Sequence, residues 1–229
     1  MKKVFFLLTA MATGLVSMAQ LSLGVQAAGN LSTAALKFED ATDVRKKMKL
    51  SPGVALVAQY NFGEQLGIRT GIHYLQHGVT VTTSGLDPEN GDLGEVQLKA
   101  VSSLHYLQLP LNVLYFIPAG SAKLYVGAGG FAGYGISGTT KLSGTYTLPD
   151  GSHETVTEKQ DAFKKESEGG AGLKRFDWGA GLVAGAQFGG KWFVQAGYQL
   201  SISDLDASAT SAYKNRSAQL SIGYFFLNK

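Results

Sequence analysis

The residues best suited to acid–base or metal chemistry near neutral pH are four histidines, His73, His77, His105 and His153. His77 and His105 fall toward the same end of two predicted neighbouring strands, with Ser84, Ser102 and Asp87 nearby in sequence. A histidine with a hydroxyl nucleophile and a carboxylate is what hydrolytic catalysis needs. A facing pair of histidines would begin a metal site, but this one has no evident third ligand. The chain has no cysteine, which removes disulfides, thiolate sites and a lipoprotein-type anchor. The expectation is a protein that is not an enzyme, with no catalytic, cofactor-binding or metal-ligating residues.

Whatever these residues do, strands must position them. The stretch 104–118, LHYLQLPLNVLYFIP, alternates Leu107, Leu109, Leu111, Val113, Tyr115 and Ile117 with Tyr106, Gln108, Pro110, Asn112, Leu114 and Phe116. One face is wholly apolar and the other mixed, the period-2 mark of a strand between two unlike environments. Its length is close to the ~9–11 residues that carry a tilted strand across a bilayer. Tyr115 and Phe116 stand at its end beside Pro118, where an aromatic girdle and a turn would fall.

The design repeats. Alternation predicts strands at 21–28, 52–62, 66–82, 104–118, from 123 to about 136, 175–188, 192–203 and 214–227. Their connections run long, short, long, short, long, short, long. An antiparallel barrel inserted from the periplasm keeps short turns on that side and long loops outside. The fold class expected is all-β, an eight-stranded antiparallel up-and-down transmembrane β-barrel. The segments 29–49, 83–95, 142–174 and 204–213 then lie outside the cell, the first with a short helix near 40–48. The mixed charges of 37–49 and 145–174 make these the candidates for surface binding.

The predicted lining is Gln59, Asn61, Arg69, His73, His77, Gln108, Asn112, Gln195, Gln199, Asn215 and Gln219, with many glycines. Eight strands enclose a space that side chains can fill. A plugged core is expected, with Arg69 and Asp177 as a candidate ion pair. Gly127, Gly129, Gly133, Gly135, Gly179, Gly181 and Gly185 alternate within strands, so they are not a nucleotide-binding fingerprint, which needs a turn into a helix. Periodicity alone does not say which face is inside. The inverse facing would make a soluble periplasmic lipocalin-like barrel around an apolar ligand. Arg69 and the amides on one face, with near-unbroken apolar stripes on the other, favour lipid outside.

Targeting agrees. Met1-Lys2-Lys3, the apolar run Val4–Val16 and Ser17-Met18-Ala19 form a basic region, a hydrophobic region and a cleavage site. Residues 1–19 are expected to be a signal peptide and 20–229 one barrel domain. Losing Lys2 and Lys3 takes the formal charge from +3 to +1, so nothing draws the mature chain to nucleic acid. Thirty glycines against five prolines, with ten tyrosines and twelve phenylalanines, suit strands and interfacial rings.

The segments LGVQAAGNLS, LGIRTGIHYLQHGV, LHYLQLPLNVLYFIP, RFDWGAGLVAGAQF and YKNRSAQLSIGYFF resemble strands of the outer-membrane β-barrel family of Bacteroidetes often labelled PorT-like. The Leu107-Gln108-Leu109-Pro110 core is similar to that family's fourth strand. The resemblance implies an eight-stranded barrel of the OmpA/OmpX type, localised in the Gram-negative outer membrane with its loops extracellular. Its implied partners are outer-membrane lipids, the barrel insertion machinery and an extracellular or secretion-system partner. The end departs from the family's common aromatic terminus, with Leu227-Asn228-Lys229 after Phe226, so insertion would use Tyr224 and Phe226. The expected role is surface interaction or envelope integrity, and the alternative is an accessory barrel associated with secretion.

Overall fold

The computed structural model describes residues 19–37, 44–86, 95–147, 152–206 and 212–228. Among them nine strands form: β1 (Ala19–Lys37), β2 (Val44–Phe62), β3 (Leu66–Leu86), β4 (Glu95–Ala119), β5 (Ala122–Thr147), β6 (His153–Asp161), β7 (Phe176–Phe188), β8 (Trp192–Ser201) and β9 (Ala212–Asn228). Each pairs antiparallel with its chain neighbour, except that β7 passes over β6 to pair with β5, and β9 returns to β1. Eight strands close a ring, which satisfies every ladder without an edge. The ninth, β6, is added to the outer half of β5.

The turns at one end are short and each carries a left-handed glycine: Gly63 (φ 74°), Gly120 (φ 63°), and the pair Gly189 and Gly190 (φ 54° and 69°). The long connections all gather at the other end, as the sequence alternation predicts. The ring closes with a fixed offset. Inward residues follow one hydrogen-bonding line from Ser22 through Gln59, Arg69, Asn112, Gly129, Gly181, Gln199 and Ser217, and the line re-enters β1 at Ser32, ten residues above its start. For eight strands that offset demands a tilt of about 40°.

The expected facing holds. Leu107, Leu109, Leu111, Val113, Tyr115 and Ile117 are exposed on the outer wall, while Leu104, Tyr106, Gln108, Leu114 and Phe116 are buried. The lipocalin-like alternative is thereby overturned, because the apolar stripes face out. Rings cluster at two levels on the outer wall. Phe188, Trp192, Tyr115, Phe62 and Phe226 lie beside the short turns; Trp178, Phe176, Tyr134 and Tyr74 lie toward the long connections. Trp178 and Phe188 stand ten residues apart on β7. At ~3.3 Å per residue and the tilt above, that is about 25 Å, the height of an outer-membrane apolar band.

Several boundaries differ from the sequence reading. The segment 29–49 is not a loop with a helix: β1 continues to Lys37 and β2 already runs from Val44. Only 38–43 lie outside the described residues. The segment 142–174 begins as a hairpin, with β5 and β6 paired from Thr139↔Asp161 to Thr147↔His153. Above the apolar band both strand faces meet water, so alternation vanishes from the sequence while backbone pairing still satisfies every N–H and C=O. Residues 1–18 of the expected signal peptide lie outside the described residues, and β1 begins at Ala19.

One wall defect is repaired from the neighbouring strand. Pairing of β2 with β3 jumps from Met48↔Val79 to Gly53↔Leu75, around Pro52, which has no N–H to give. The β3 groups left over bond to side chains of β1. Asn30 Nδ2 donates to Gln76 O at 2.8 Å, Ser32 Oγ donates to Gly78 O at 3.0 Å, and Gly78 N donates to Ser32 Oγ at 2.8 Å. Ser32→Ala leaves the buried N–H and C=O of Gly78 without their partner. It is expected to cost about 1–3 kcal/mol, read as a lowered urea midpoint for the barrel in lipid vesicles.

Candidate functional site

The interior is the most constrained chemistry in the molecule. In its half nearer the short turns, β3 aims Arg69 at the axis. Its guanidinium donates to Gln59 Oε1 at 2.5 and 3.0 Å, to Tyr125 Oη at 2.8 Å and to Gln195 Oε1 at 2.8 Å. It also lies over three rings: Phe193 at 4.3 Å, Tyr125 at 4.6 Å and Phe225 at 5.7 Å. Among the described residues no carboxylate reaches it; amide dipoles and π faces balance the charge. Gln59 extends the network to Asn61 (3.0 Å) and Gln187 (3.3 Å). At the mouth beside the turns, Ser22 donates to Asn228 at 2.7 Å, tying β1 to β9 where the ring closes.

Asp177 sits in the other half and has its own partners. It accepts from Ser201 (2.9 Å), Ser203 (2.6 Å) and Asn215 (2.9 Å). The expected Arg69–Asp177 ion pair therefore does not form. Both residues point inward, but Arg69 is level with Asn112 while Asp177 is level with Gly133. Facing put them in one lumen, and the register separates them.

The histidines also part. His77 pairs with Leu104 and points inward, its ring edge-on to Tyr106 at 5.6 Å. His105 pairs with Gln76 and points outward, where Nδ1 and the Tyr74 hydroxyl lie 2.7 Å apart. A wall separates the two rings, so neither the hydrolytic cluster nor the paired metal site assembles from them. His73 is buried beside Gln108 in the ladder. Asp87, considered with them, lies outside the described residues.

The mouth between the long connections is closed by apolar residues from polar segments. Ala162, Leu173 and Leu205 are buried with Leu104, Tyr106, Val79 and Tyr213, and Phe163 packs against them. Leu173 N donates to Ala162 O at 2.9 Å, and Lys174 N to Leu205 O at 2.7 Å, which stitches the segment after β6 to the one after β8. Gly135 and Gly138 make the seat. A Cβ on Gly135 would fall 2.3 Å from Phe163 Cζ, and one on Gly138 would fall 2.8 Å from the Ala162 Cβ. Asp204 fastens the far side by accepting from Tyr213 N (2.9 Å) and Asp206 N (3.1 Å). Burial is the largest single influence and pushes its pKa up, but those two N–H groups with Lys174 and Lys214 together outweigh it and hold the carboxyl below its usual value. This fastening is kept above the ordinary carboxylate pKa and is given up as acid protonates the group.

The lining named from sequence is on the inner face, yet it is incomplete. Phe116, Tyr125, Phe131, Phe193 and Phe225 are buried there as well and supply much of the volume. Phe225 lies next to a bulge, where pairing jumps from Leu23↔Leu227 to Gly24↔Phe225, yet alternation from Ser221 and Gly223 still sets it on the inner face. The three-residue plug had a weaker signal still: single apolar residues between polar neighbours, Leu173 before Lys174 and Leu205 between two aspartates.

A closed ring of eight tilted antiparallel strands, apolar outside, belted by aromatic rings and filled within by an amide network, is a transmembrane β-barrel of the Gram-negative outer membrane. The chain belongs to the outer membrane protein beta-barrel domain family, whose model matches residues 18–207. No curated protein matches it. Similar solved structures include Ail of Yersinia pestis with the heparin analogue sucrose octasulfate (18% identity over 91% of this chain and 99% of that one, TM-score 0.35). Neisserial surface protein A is 12% identical over 90% and 99%, with a TM-score of 0.37. OprG of Pseudomonas aeruginosa is 12% identical over 91% and 95%, with a TM-score of 0.41. At these values nothing about binding passes from those proteins to this one.

Proposed function

We propose that this is a non-enzymatic, non-conducting barrel that acts at the cell surface through its long-connection end, which faces outward, in surface interaction or envelope integrity. The observation that carries the reading is the double closure of the lumen, by the Arg69 network in one half and by Ala162, Leu173 and Leu205 in the other. In planar bilayers the protein is expected to give no porin-like current steps. Replacing Gly135 by leucine, which evicts Phe163, is expected to raise leak; steady conductance in the unaltered protein would reject the closed lumen. Whole cells treated with protease should be cut after residue 147, and cleavage only in opened cells would reverse the orientation.

Processing and insertion are part of the proposal. A signal peptide cut after Ala19 leaves Gln20 as the first residue, which N-terminal sequencing reads directly. Tyr224 and Phe226, at the short-turn end of β9, are the features offered to the insertion machinery. The narrower PorT-like kinship rests on the Leu107-Gln108-Leu109-Pro110 core. A strain lacking the gene separates the two roles: altered surface binding with secretion intact supports the surface role, and proteins retained in the cell support the secretion accessory.

A further inference from the structure

Above the upper ring of aromatics, β2 to β6 rise past the closed ring as one sheet. Its outward face follows from the register. One row runs Arg45, Thr82, Lys99, Ser143, Thr157; the row below it runs Lys47, Thr80, Val101, Lys141, Lys159. Beneath them the Lys49 stem lies over Gly78 on the outer wall, and its Nζ donates to Ser103 Oγ. Six cations thus share one face. Of the hairpin carboxylates, Glu154 and Glu158 alternate onto the opposite face, while Asp161, opposite Thr139 on the outward face, is engaged by Phe163 N, which donates to it at 2.8 Å. Among the described side chains Asp161 is the one carboxylate that the register sets on the outward face of β2–β6, against six cations.

The arrangement has a cost. Lys141 and Lys159 are direct cross-strand partners, and like charges so placed repel. Hydroxyls fill the gaps between the cations, with Ser143 and Thr157 at 3.1 Å and Thr145 and Thr155 at 3.1 Å. Lysines for charge with hydroxyls to donate is a surface suited to phosphate oxygens. Its position says which phosphates. The face is continuous with the lipid-facing wall, since Lys49 follows the exposed Leu50 and Ser103 follows His105 on the same side of β4. From there the cations climb by about 15 Å, taking the strand rise and tilt above.

We infer that the outward face of β2–β6 binds the phosphates of a large, multiply phosphorylated glycolipid headgroup in the leaflet surrounding it. A single-phosphate phospholipid reaches only the lowest cation. That this leaflet is the outer one rests on the proposed orientation; the binding itself does not.

The test is native mass spectrometry of the detergent-solubilised full-length protein titrated with lipopolysaccharide, the same lipid after phosphatase treatment, and phosphatidylglycerol. Phosphorylated lipopolysaccharide is expected to bind at least tenfold more tightly than either other lipid, with an affinity that falls steeply as salt rises. The triple variant Lys99→Gln, Lys141→Gln, Lys159→Gln is expected to lose on the order of 100-fold, about fivefold per removed cation. Lys123→Gln, at the opposite end, is expected to lose nothing. If the triple variant does not fold, the salt slope of the unaltered protein decides: a flat slope overturns the inference. Equal binding of the phosphatase-treated lipid, or preference for a soluble heparin fragment over the lipid, overturns it too. Protease cutting of whole cells tests the orientation separately, so the two can fail independently.

Discussion

Replacing Leu109 by arginine is expected to destabilise the folded barrel in lipid by about 2–4 kcal/mol. Leu109 is 58% exposed on the outer wall of β4, six residues from Tyr115 in the lower belt of rings. In water such exposure would be a liability; in a bilayer it is contact with acyl chains. A guanidinium there must carry its hydration into hydrocarbon or drag the strand toward an interface. The same change at Ile117, beside the short turns, is expected to cost about 0–1 kcal/mol, because the headgroups are within reach. Urea unfolding in vesicles, followed by the fluorescence of Trp178 and Trp192, measures both. Equal costs at the two positions would show that depth in a membrane does not matter for this protein.

Arg69→Ala is expected to be the most damaging interior change, at about 3–5 kcal/mol. It leaves Gln59 Oε1 without its donors, leaves Gln195 Oε1 with only the Tyr125 hydroxyl at 3.3 Å, and opens a void between Tyr125, Phe193 and Phe225. Arg69→Met keeps most of the packing and removes a buried charge that has no counter-ion among the described residues. It is expected to recover at least half of the loss, since apolar replacement of a buried ionic group is often tolerated. Were the two variants equally unstable, the guanidinium hydrogen bonds would outweigh the packing of the rings around it. The same unfolding experiment reads the difference.

How much of this was legible follows from where each residue lies. Between 107 and 117 the membrane imposes apolar side chains outside and space-filling ones inside, so the facing could be read from period 2 alone. Beyond the apolar band that pressure ends, and Asn30–Lys37, Arg45–Lys49 and the β5–β6 hairpin looked like loops although their backbones are paired. Register was out of reach as well. Alternation sets His77 on the inner face and His105 on the outer one with Leu107; which residues they sit opposite, Leu104 and Gln76, comes only from the register. Level within the barrel depends on the ten-residue offset of the whole ring, which no local window contains; Arg69 and Asp177 were given the right face and the wrong distance.

Nuclear Overhauser contacts between lipid acyl chains and methyl groups, measured on the barrel in a bilayer, test most directly which way the stripes face. Leu109, Leu182 and Leu220 are expected to show strong contacts with the acyl chains, and Leu104 and Leu114 none. Acyl contacts at Leu104 and Leu114 with silence at Leu109 and Leu182 would contradict the facing on which the filled lumen, the membrane location and the surface role all depend.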